Sequence, residues 1–130
     1  MITSDNYFAV INPKGLCPSG WRVSTDDDWA TLTAYLGVNA GGQLKATSTP
    51  FWVNPNTGAT NTTNFNALPG GYKENDGSYG SKNYYGSFWS PNAALINGLA
   101  YYRDLIFNSN AVVKNSIDKR RGYSVRCVKN

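Results

Sequence analysis

The two cysteines constrain this chain more than any other residues, because each sits in an extended block near one end. Cys17 lies in Leu16-Cys17-Pro18-Ser19-Gly20-Trp21-Arg22-Val23, and Cys127 in Gly122-Tyr123-Ser124-Val125-Arg126-Cys127-Val128. In the second block Tyr123, Val125 and Cys127 alternate with Ser124, Arg126 and Val128, which is the two-residue period of a β-strand. A bond between the cysteines would pin the ends side by side and turn everything between them into one closed excursion. Closing a loop of that size removes about 4 to 5 kcal/mol of unfolded-state entropy in the chain-entropy model. The alternative is two buried free thiols, which behave as small hydrophobes.

A chain of 130 residues is expected to form one domain, residues 1–130, large enough to bury a single core. No apolar run approaches the roughly 18 residues needed to cross a bilayer, so no membrane insertion is expected. Met1-Ile2-Thr3-Ser4-Asp5-Asn6 lacks the basic region and apolar stretch of an export signal, so any such signal is expected outside these residues. An aromatic content of 14% with 13 glycines and many Asn, Ser and Thr points to short strands joined by long polar loops, as in extracellular binding domains. The formal charge is +4, but the basic residues are scattered apart from Lys119-Arg120-Arg121. That triplet precedes Gly122 and reads as a solvated turn, so no nucleic-acid partner is expected.

In chain order, Tyr7 to Ile11 reads as a first strand closed by the turn Asn12-Pro13-Lys14-Gly15. A helix follows Trp21-Arg22-Val23. Thr25 with Asp28, or Ser24 with Asp27, has capping-box spacing, and Asp26, Asp27 and Asp28 suit the positive end of the helix dipole. Trp29, Leu32, Tyr35 and Leu36 recur at helical spacing until Gly37 stops the helix. A shorter helix is expected over Ala40 to Ala46 with Leu44 inward. Residues 47–64 lose all periodicity and form a long loop with Trp52 as its anchor; Asn61-Thr62-Thr63 matches a glycosylation acceptor. Strands are then expected around Phe65 to Tyr72, at Tyr79 after the turn Asn75-Asp76-Gly77, over Tyr85 to Ser90, over Leu99 to Phe107, and at Ala111 to Val113. Pro91 to Gly98 and Asn115 to Arg121 read as loops.

Six blocks, in one order, carry a resemblance: the Cys17 block, Asp28-Trp29, Leu44-Lys45, Phe65-Asn66-Ala67-Leu68-Pro69-Gly70-Gly71-Tyr72, Phe88-Trp89-Ser90 and the Cys127 block. Together they resemble the Fibrobacter succinogenes major paralogous domain, with Ser24 standing where that family usually has Pro and Pro91 where it often has Ser. The resemblance implies an α+β, C-type-lectin-like fold related to formylglycine-generating-enzyme domains. Such a fold has two helices, a loop-rich and mostly antiparallel sheet, and paired N- and C-terminal strands. It also implies that both cysteines serve a structural bridge.

The chain has no histidine, which removes His-based triads, most zinc sites and ordinary neutral-pH base chemistry. Glu74 with Asp76, or Asp104 with Asp118, would be the carboxylate pairs for a polysaccharide-acting hydrolase, yet the first falls in a turn and the second pair is isolated in sequence. The Glu-Pro-Asn and Trp-Asn-Asp signatures of calcium-dependent sugar binding are absent. The expectation is a non-catalytic domain without cofactor or metal; the alternative is a structural module of a larger surface protein.

Along Leu99 to Phe107, the set Tyr101, Arg103, Leu105 and Phe107 shares one face and Tyr102, Asp104 and Ile106 the other. The resemblance assigns the first set to the framework and lets the second differ among members. With the framework face covered, Tyr102, Asp104 and Ile106 would be displayed beside the loop Asn92-Ala93-Ala94-Leu95-Ile96-Asn97. The competing reading buries Leu95, Ile96 and Ile106 in the core. The expected protein- or glycan-binding surface comprises Tyr84, Asn92, Leu95, Ile96, Asn97, Tyr102, Asp104, Ile106, Asn108, Asn115, Ile117 and Asp118. Some domains of this lectin-like fold are diversified by retroelements whose adenine-directed mutagenesis rewrites Asn-type codons near the C-terminus. The Tyr, Asn, Ser, Asp and Ile residues frequent between Tyr84 and Arg121 fit such a variable protein, displayed extracellularly, on a cell surface or on a phage virion.

Overall fold

The computed structural model describes residues 2–48 and 50–130, with side chains from residue 5 onward. Its elements in chain order are β1 (Ile2–Asn6), α1 (Tyr7–Val10), β2 (Trp21–Val23), α2 (Asp26–Leu36), α3 (Ala40–Leu44), β3 (Tyr72–Lys73), β4 (Tyr79–Gly80), β5 (Tyr85–Ala93), β6 (Leu99–Ile106), β7 (Val112–Asp118), β8 (Gly122–Val125) and β9 (Cys127–Lys129). Seven strands form one α+β domain's main sheet in the order β4-β3-β8-β5-β6-β7, with β1 on β8. β5 and β8 run parallel; the other neighbours are antiparallel. A separate two-stranded sheet pairs β2 with β9, Val23 opposite Cys127.

The terminal blocks meet as their residues require. Cys17 and Cys127 are bonded, their Cα atoms 5.8 Å apart, so the free-thiol reading is set aside. The expected single strand Gly122 to Val128 is broken at Arg126. Gly122–Val125 is central in the large sheet and buried throughout, whereas Cys127–Lys129 turns away to pair with β2.

Tyr7 to Val10 is a helical turn, not the expected strand. Asn6 Oδ1 accepts from the Ala9 backbone N–H at 3.0 Å, an N-cap that a four-residue segment needs more than any periodicity. The turn buries Tyr7 and Val10 against Trp89, with the Tyr7 hydroxyl donating to the Pro91 carbonyl at 2.7 Å and the Trp89 indole N–H to that of Asp5 at 2.8 Å. β5 and β7 both run longer than the alternation suggests, through Pro91 to Ala93 and on to Asp118.

α2 follows the expected pattern, with Thr25 rather than Ser24 as cap. Thr25 Oγ1 accepts from the Asp28 N–H at 3.1 Å and Asp28 accepts from the Thr25 N–H at 2.8 Å. Gly37 ends it at φ 68°. Trp29 faces inward onto Phe88 and Phe65 at ring separations of 5.6 and 5.9 Å, while Tyr35 is 86% exposed and leaves the expected inner stripe. The acidic triplet has divided labour. Asp28 completes the cap and pairs with Arg22, Asp27 is exposed, and Asp26 bridges to the buried Arg103 at 2.6 Å and to Lys114 at 2.8 Å. Thus α2 is fastened across one face of β6 and β7.

α3 carries two glycines because its backbone lies against other backbone. A Cβ at Gly41 would collide with the Ala111 carbonyl, and one at Gly42 with that of Gly58. That close approach lowers helix propensity and makes the helix faint in the sequence. Trp52 does anchor the long loop: it is buried, and its indole N–H donates to the Ala67 carbonyl at 2.9 Å. Asn56, Asn61, Asn64 and Asn66 there adopt φ between 44° and 56°, a left-handed conformation that asparagine tolerates better than most residues. Phe65 to Leu68 contributes one isolated bridge, Lys45 with Ala67, rather than a strand.

Candidate functional site

α2 covers the side of β6 that carries Arg103 and Leu105, as the framework reading expects. The opposite side carries the alternate residues of three strands. Register places Tyr85 beside Ile106, Ser87 beside Asp104 and Trp89 beside Tyr102. On the other flank Val113 stands beside Asp104, Asn115 beside Tyr102 and Ile117 beside Ala100. Directly opposed residues project to the same side of a sheet, so Tyr102, Asp104 and Ile106 share a side as alternation expects, and Asn115 and Ile117, expected in a loop, join them through β7.

Their exposure differs from expectation. Tyr102 and Asp104 are 8% and 7% exposed, not displayed on an open surface. α1 and β1 cover the Trp89 end of this face, and the crossover to β8 brings Tyr123 alongside, its ring 4.6 Å from that of Tyr102. What remains open is a pocket of about 300 Å³. Its deeply buried members are Ser87, Tyr102, Asp104 and Tyr123; Tyr72, Tyr85, Ile117 and Arg121 are its partly exposed walls.

The electrostatics of this pocket are unusual for a small domain. Asp104 is a buried carboxylate with no Lys or Arg partner among the described residues. The Ser87 hydroxyl donates to its Oδ1. Burial pushes the carboxyl up to about 6, with the Ser87 and Tyr102 hydroxyls partly offsetting that rise. Burial also raises the Tyr102 phenol, helped by the neighbouring Asp104 charge, and raises Tyr123, so both stay protonated at neutral pH. Arg121, the cation of the wall, is paired with Glu74 at 3.0 Å.

The other expected site residues lie elsewhere. Asn92, Leu95, Ile96 and Asn97 sit at or near the β5–β6 hairpin tip, where Leu95 is 99% and Ile96 67% exposed, against the core reading for those two. Asn92 Oδ1 accepts from the Asp26 N–H at 2.9 Å. Tyr84 and Asn108 lie at the opposite pole, Tyr84 edge-on to Phe107 at 5.2 Å. Asp118 closes β7, held by Arg120 at 2.6 Å and Asn75 at 3.4 Å; those contacts, the Arg120 hydrogen bond foremost, hold its carboxyl well below the usual range. Neither Glu74 nor Asp118 lines the pocket. Sequence reasoning missed Tyr72, Tyr85, Ser87, Arg121 and Tyr123. The two-residue period reaches Tyr85 and Ser87 once β5 is paired with β6, but Tyr72 and Tyr123 arrive from distant strands without a local signal.

A larger groove of about 610 Å³ runs between α2 and the β2–β9 sheet, walled by Trp21, Leu32, Tyr35 and Phe65. Size favours it. Chemistry favours the smaller pocket, because the groove's acid, Asp28, is satisfied by Arg22 and the helix cap, whereas Asp104 is uncompensated. Among the described residues no group of three or more His, Cys, Asp or Glu is placed to hold a metal ion, and no helix is long and apolar enough to cross a membrane.

The family model described as Fibrobacter succinogenes major domain matches residues 6–129. No curated protein and no solved structure matches the chain.

Proposed function

Since the chain belongs to the Fibrobacter succinogenes major domain family, we propose that it is a non-catalytic recognition domain of C-type-lectin-like fold. Its ligand seat is the pocket on the side of β5 and β6 away from α2, beside β8. One observation carries this reading: a buried carboxylate with no cationic partner among the described residues sits in a pocket ringed by tyrosines. Folding alone gives no reason to keep such a charge, since its desolvation opposes folding, and perturbed ionisable groups in concave sites concentrate where function is. A bonded Cys17–Cys127 pair favours an oxidising compartment, hence display outside the cell, on a cell surface or on a virion.

Retroelement diversification of the segment from Tyr84 to Arg121 is part of the same proposal. Asn39, Asn56, Asn61, Asn64, Asn66 and Asn83 answer to left-handed backbone, but Asn92, Asn97, Asn108, Asn110 and Asn115 are not among the residues with positive φ. Their abundance therefore lacks that conformational reason. The checking observation is a reverse-transcriptase gene beside this one, with a near-copy of the DNA encoding Tyr84 to Asn130.

The binding role itself is tested on glycan and protein arrays with the wild-type domain, Asp104→Asn and Tyr102→Phe. Both substitutions keep side-chain shape, so a specific hit lost in both without a lower melting temperature supports the pocket. Hits unaffected by both would move the seat elsewhere; no hits at all would favour a structural module.

A further inference from the structure

Resting on that reading, we propose that the pocket takes an organic ammonium group. The walls come first. Tyr72, Tyr85, Tyr102 and Tyr123 contribute four aromatic rings to one cavity, with Tyr102 and Tyr123 4.6 Å apart and Tyr72 and Tyr123 6.2 Å apart. The faces of such rings carry negative quadrupole density and attract cations, more strongly when water is excluded. The same wall already holds one cation: the Arg121 guanidinium lies 5.3 Å from the centre of the Tyr72 ring.

The floor supplies the counter-charge. Asp104 presents a carboxylate with no cationic partner among the described residues, fixed by Ser87. Around it stand Ser87 and Tyr85 from β5, Tyr102 from its own strand, Ile117 from β7, Tyr123 from β8, Tyr72 from β3 and Arg121 before β8. The Tyr102 and Tyr123 phenols stay protonated at physiological pH, and the Arg121 charge is matched by Glu74, which leaves the uncompensated Asp104 to set the sign. An anionic ligand would add like charge to a buried acid. A neutral one supplies at most a hydrogen bond and leaves the charge without a counter-ion. An ammonium satisfies both the carboxylate and the rings. About 300 Å³ lies at the small end of ligand cavities, the right scale for an amine headgroup or the end of a lysine side chain rather than for a large ligand.

The experiment is an NMR titration of the whole domain with choline, N-acetyl-lysine amide, the neutral choline isostere 3,3-dimethylbutanol, and acetate. The ammonium compounds should shift Tyr102, Asp104 and Tyr123 signals and bind at least about tenfold more tightly than the neutral isostere, a difference of about 1.4 kcal/mol. Asp104→Asn should remove that preference, and affinity should fall as pH drops through about 6 and the carboxyl protonates. Preference for choline or for the lysine derivative distinguishes a quaternary headgroup from a primary amine, and either supports the assignment. Equal binding of the neutral isostere, cation binding unchanged in Asp104→Asn, or no cation-induced shift overturns it. An array ligand that needs Tyr102 yet ignores Asp104 and is not displaced by choline would end the ammonium assignment while leaving the recognition role standing.

Discussion

The Lys45 ammonium donates to the Ile106 carbonyl at 2.9 Å, joining the residue after α3 to the end of β6. It also donates to the Thr57 and Ser109 carbonyls, each at 2.8 Å, and is fully buried beside Trp52 at 5.4 Å from the ring centre. One cation thus ties two chain segments, the loop at Thr57 and the turn from Ile106 to Ser109, by three backbone oxygens. Burial lowers the ammonium to about 8, so it stays mostly charged at neutral pH. Lys45→Met preserves the apolar stem and takes the donor from the Thr57 and Ser109 carbonyls, while the Ile106 carbonyl keeps the Ser109 N–H at 3.2 Å; the expected loss is about 2 to 4 kcal/mol, read as a lower urea midpoint at unchanged m-value. No measurable loss would show that water replaces the ammonium.

Asp104 should set a pH trend opposite to that of ordinary surface carboxylates. Its folded pKa, about 6, lies above the unfolded 3.8, so between these values the folded state binds more protons. Its contribution is fully present below the unfolded value and disappears as pH rises through about 6. The difference is about 3 kcal/mol at most by linkage. Asp104→Asn removes the titration and should gain on the wild type progressively from pH 4 to 7 in paired denaturant curves. Parallel curves for the two proteins across that range would mean that the carboxylate is not desolvated and gives the pocket no uncompensated charge.

Much of this was legible because it was local. The Thr25–Asp28 box, Gly37, Trp52 and the turn at Asn75-Asp76-Gly77 are each specified within a few residues, and alternation on β6 separated Arg103 and Leu105 from Tyr102 and Asp104. Alternation gives sides of a sheet, however, not depth. Whether Asp104 is displayed or sunk depends on α1, β1 and the parallel β5–β8 crossover, which no short window encodes. Tyr7 to Ile11 misled because four or five apolar-rich residues fit a strand and a helical turn equally well, and the deciding feature was the Asn6 cap. Arg126 misled for a related reason: the break between β8 and β9 is fixed by two different partners, not by a turn residue.

Reducing the Cys17–Cys127 bond should weaken the fold without dismantling it. A sequence separation of 110 corresponds to about 5 kcal/mol of unfolded-state entropy in the chain-entropy model. Pairing of β1 with β8 and of β2 with β9 keeps the same ends adjacent in the native state. The Cys17→Ala/Cys127→Ala protein should retain the wild-type near-ultraviolet circular dichroism and unfold at a lower guanidinium midpoint. A shift below about 1 kcal/mol would mean that the unfolded ensemble already holds its ends together.

Asp26 should prove more than a helix-dipole carboxylate. Against the desolvation that burial imposes, Lys114 and Arg103 hold its carboxyl below the usual range, and the Arg103 side chain is only 5% exposed. Asp26→Asn leaves that guanidinium without a carboxylate and is expected to cost about 3 kcal/mol, whereas Asp27→Asn, at an exposed position, should change stability by less than about 0.5 kcal/mol. Because the folded pKa is depressed, the Asp26 contribution is present above 3.8 and lost as pH falls, the reverse of Asp104. Equal effects of the two substitutions in thermal melts would return the triplet to a shared dipole role.

The hairpin tip and the pocket should behave as independent surfaces. Leu95 and Ile96 project from a turn closed by the Ala94 N–H to the Leu99 carbonyl at 3.0 Å and by Gly98 at φ 86°, so the backbone does not rely on their side chains. Ala100, where β6 has just left the turn, stands four residues from Asp104, about 13 Å of strand. Leu95→Ser/Ile96→Ser should therefore change stability by less than about 0.5 kcal/mol and leave untouched the affinity for any small ligand that Asp104→Asn abolishes. Calorimetric titration of the double variant beside Asp104→Asn separates the cases. A small ligand lost in both would join tip and pocket into one footprint, and only a rearranged β5–β6 hairpin could bring them within its reach.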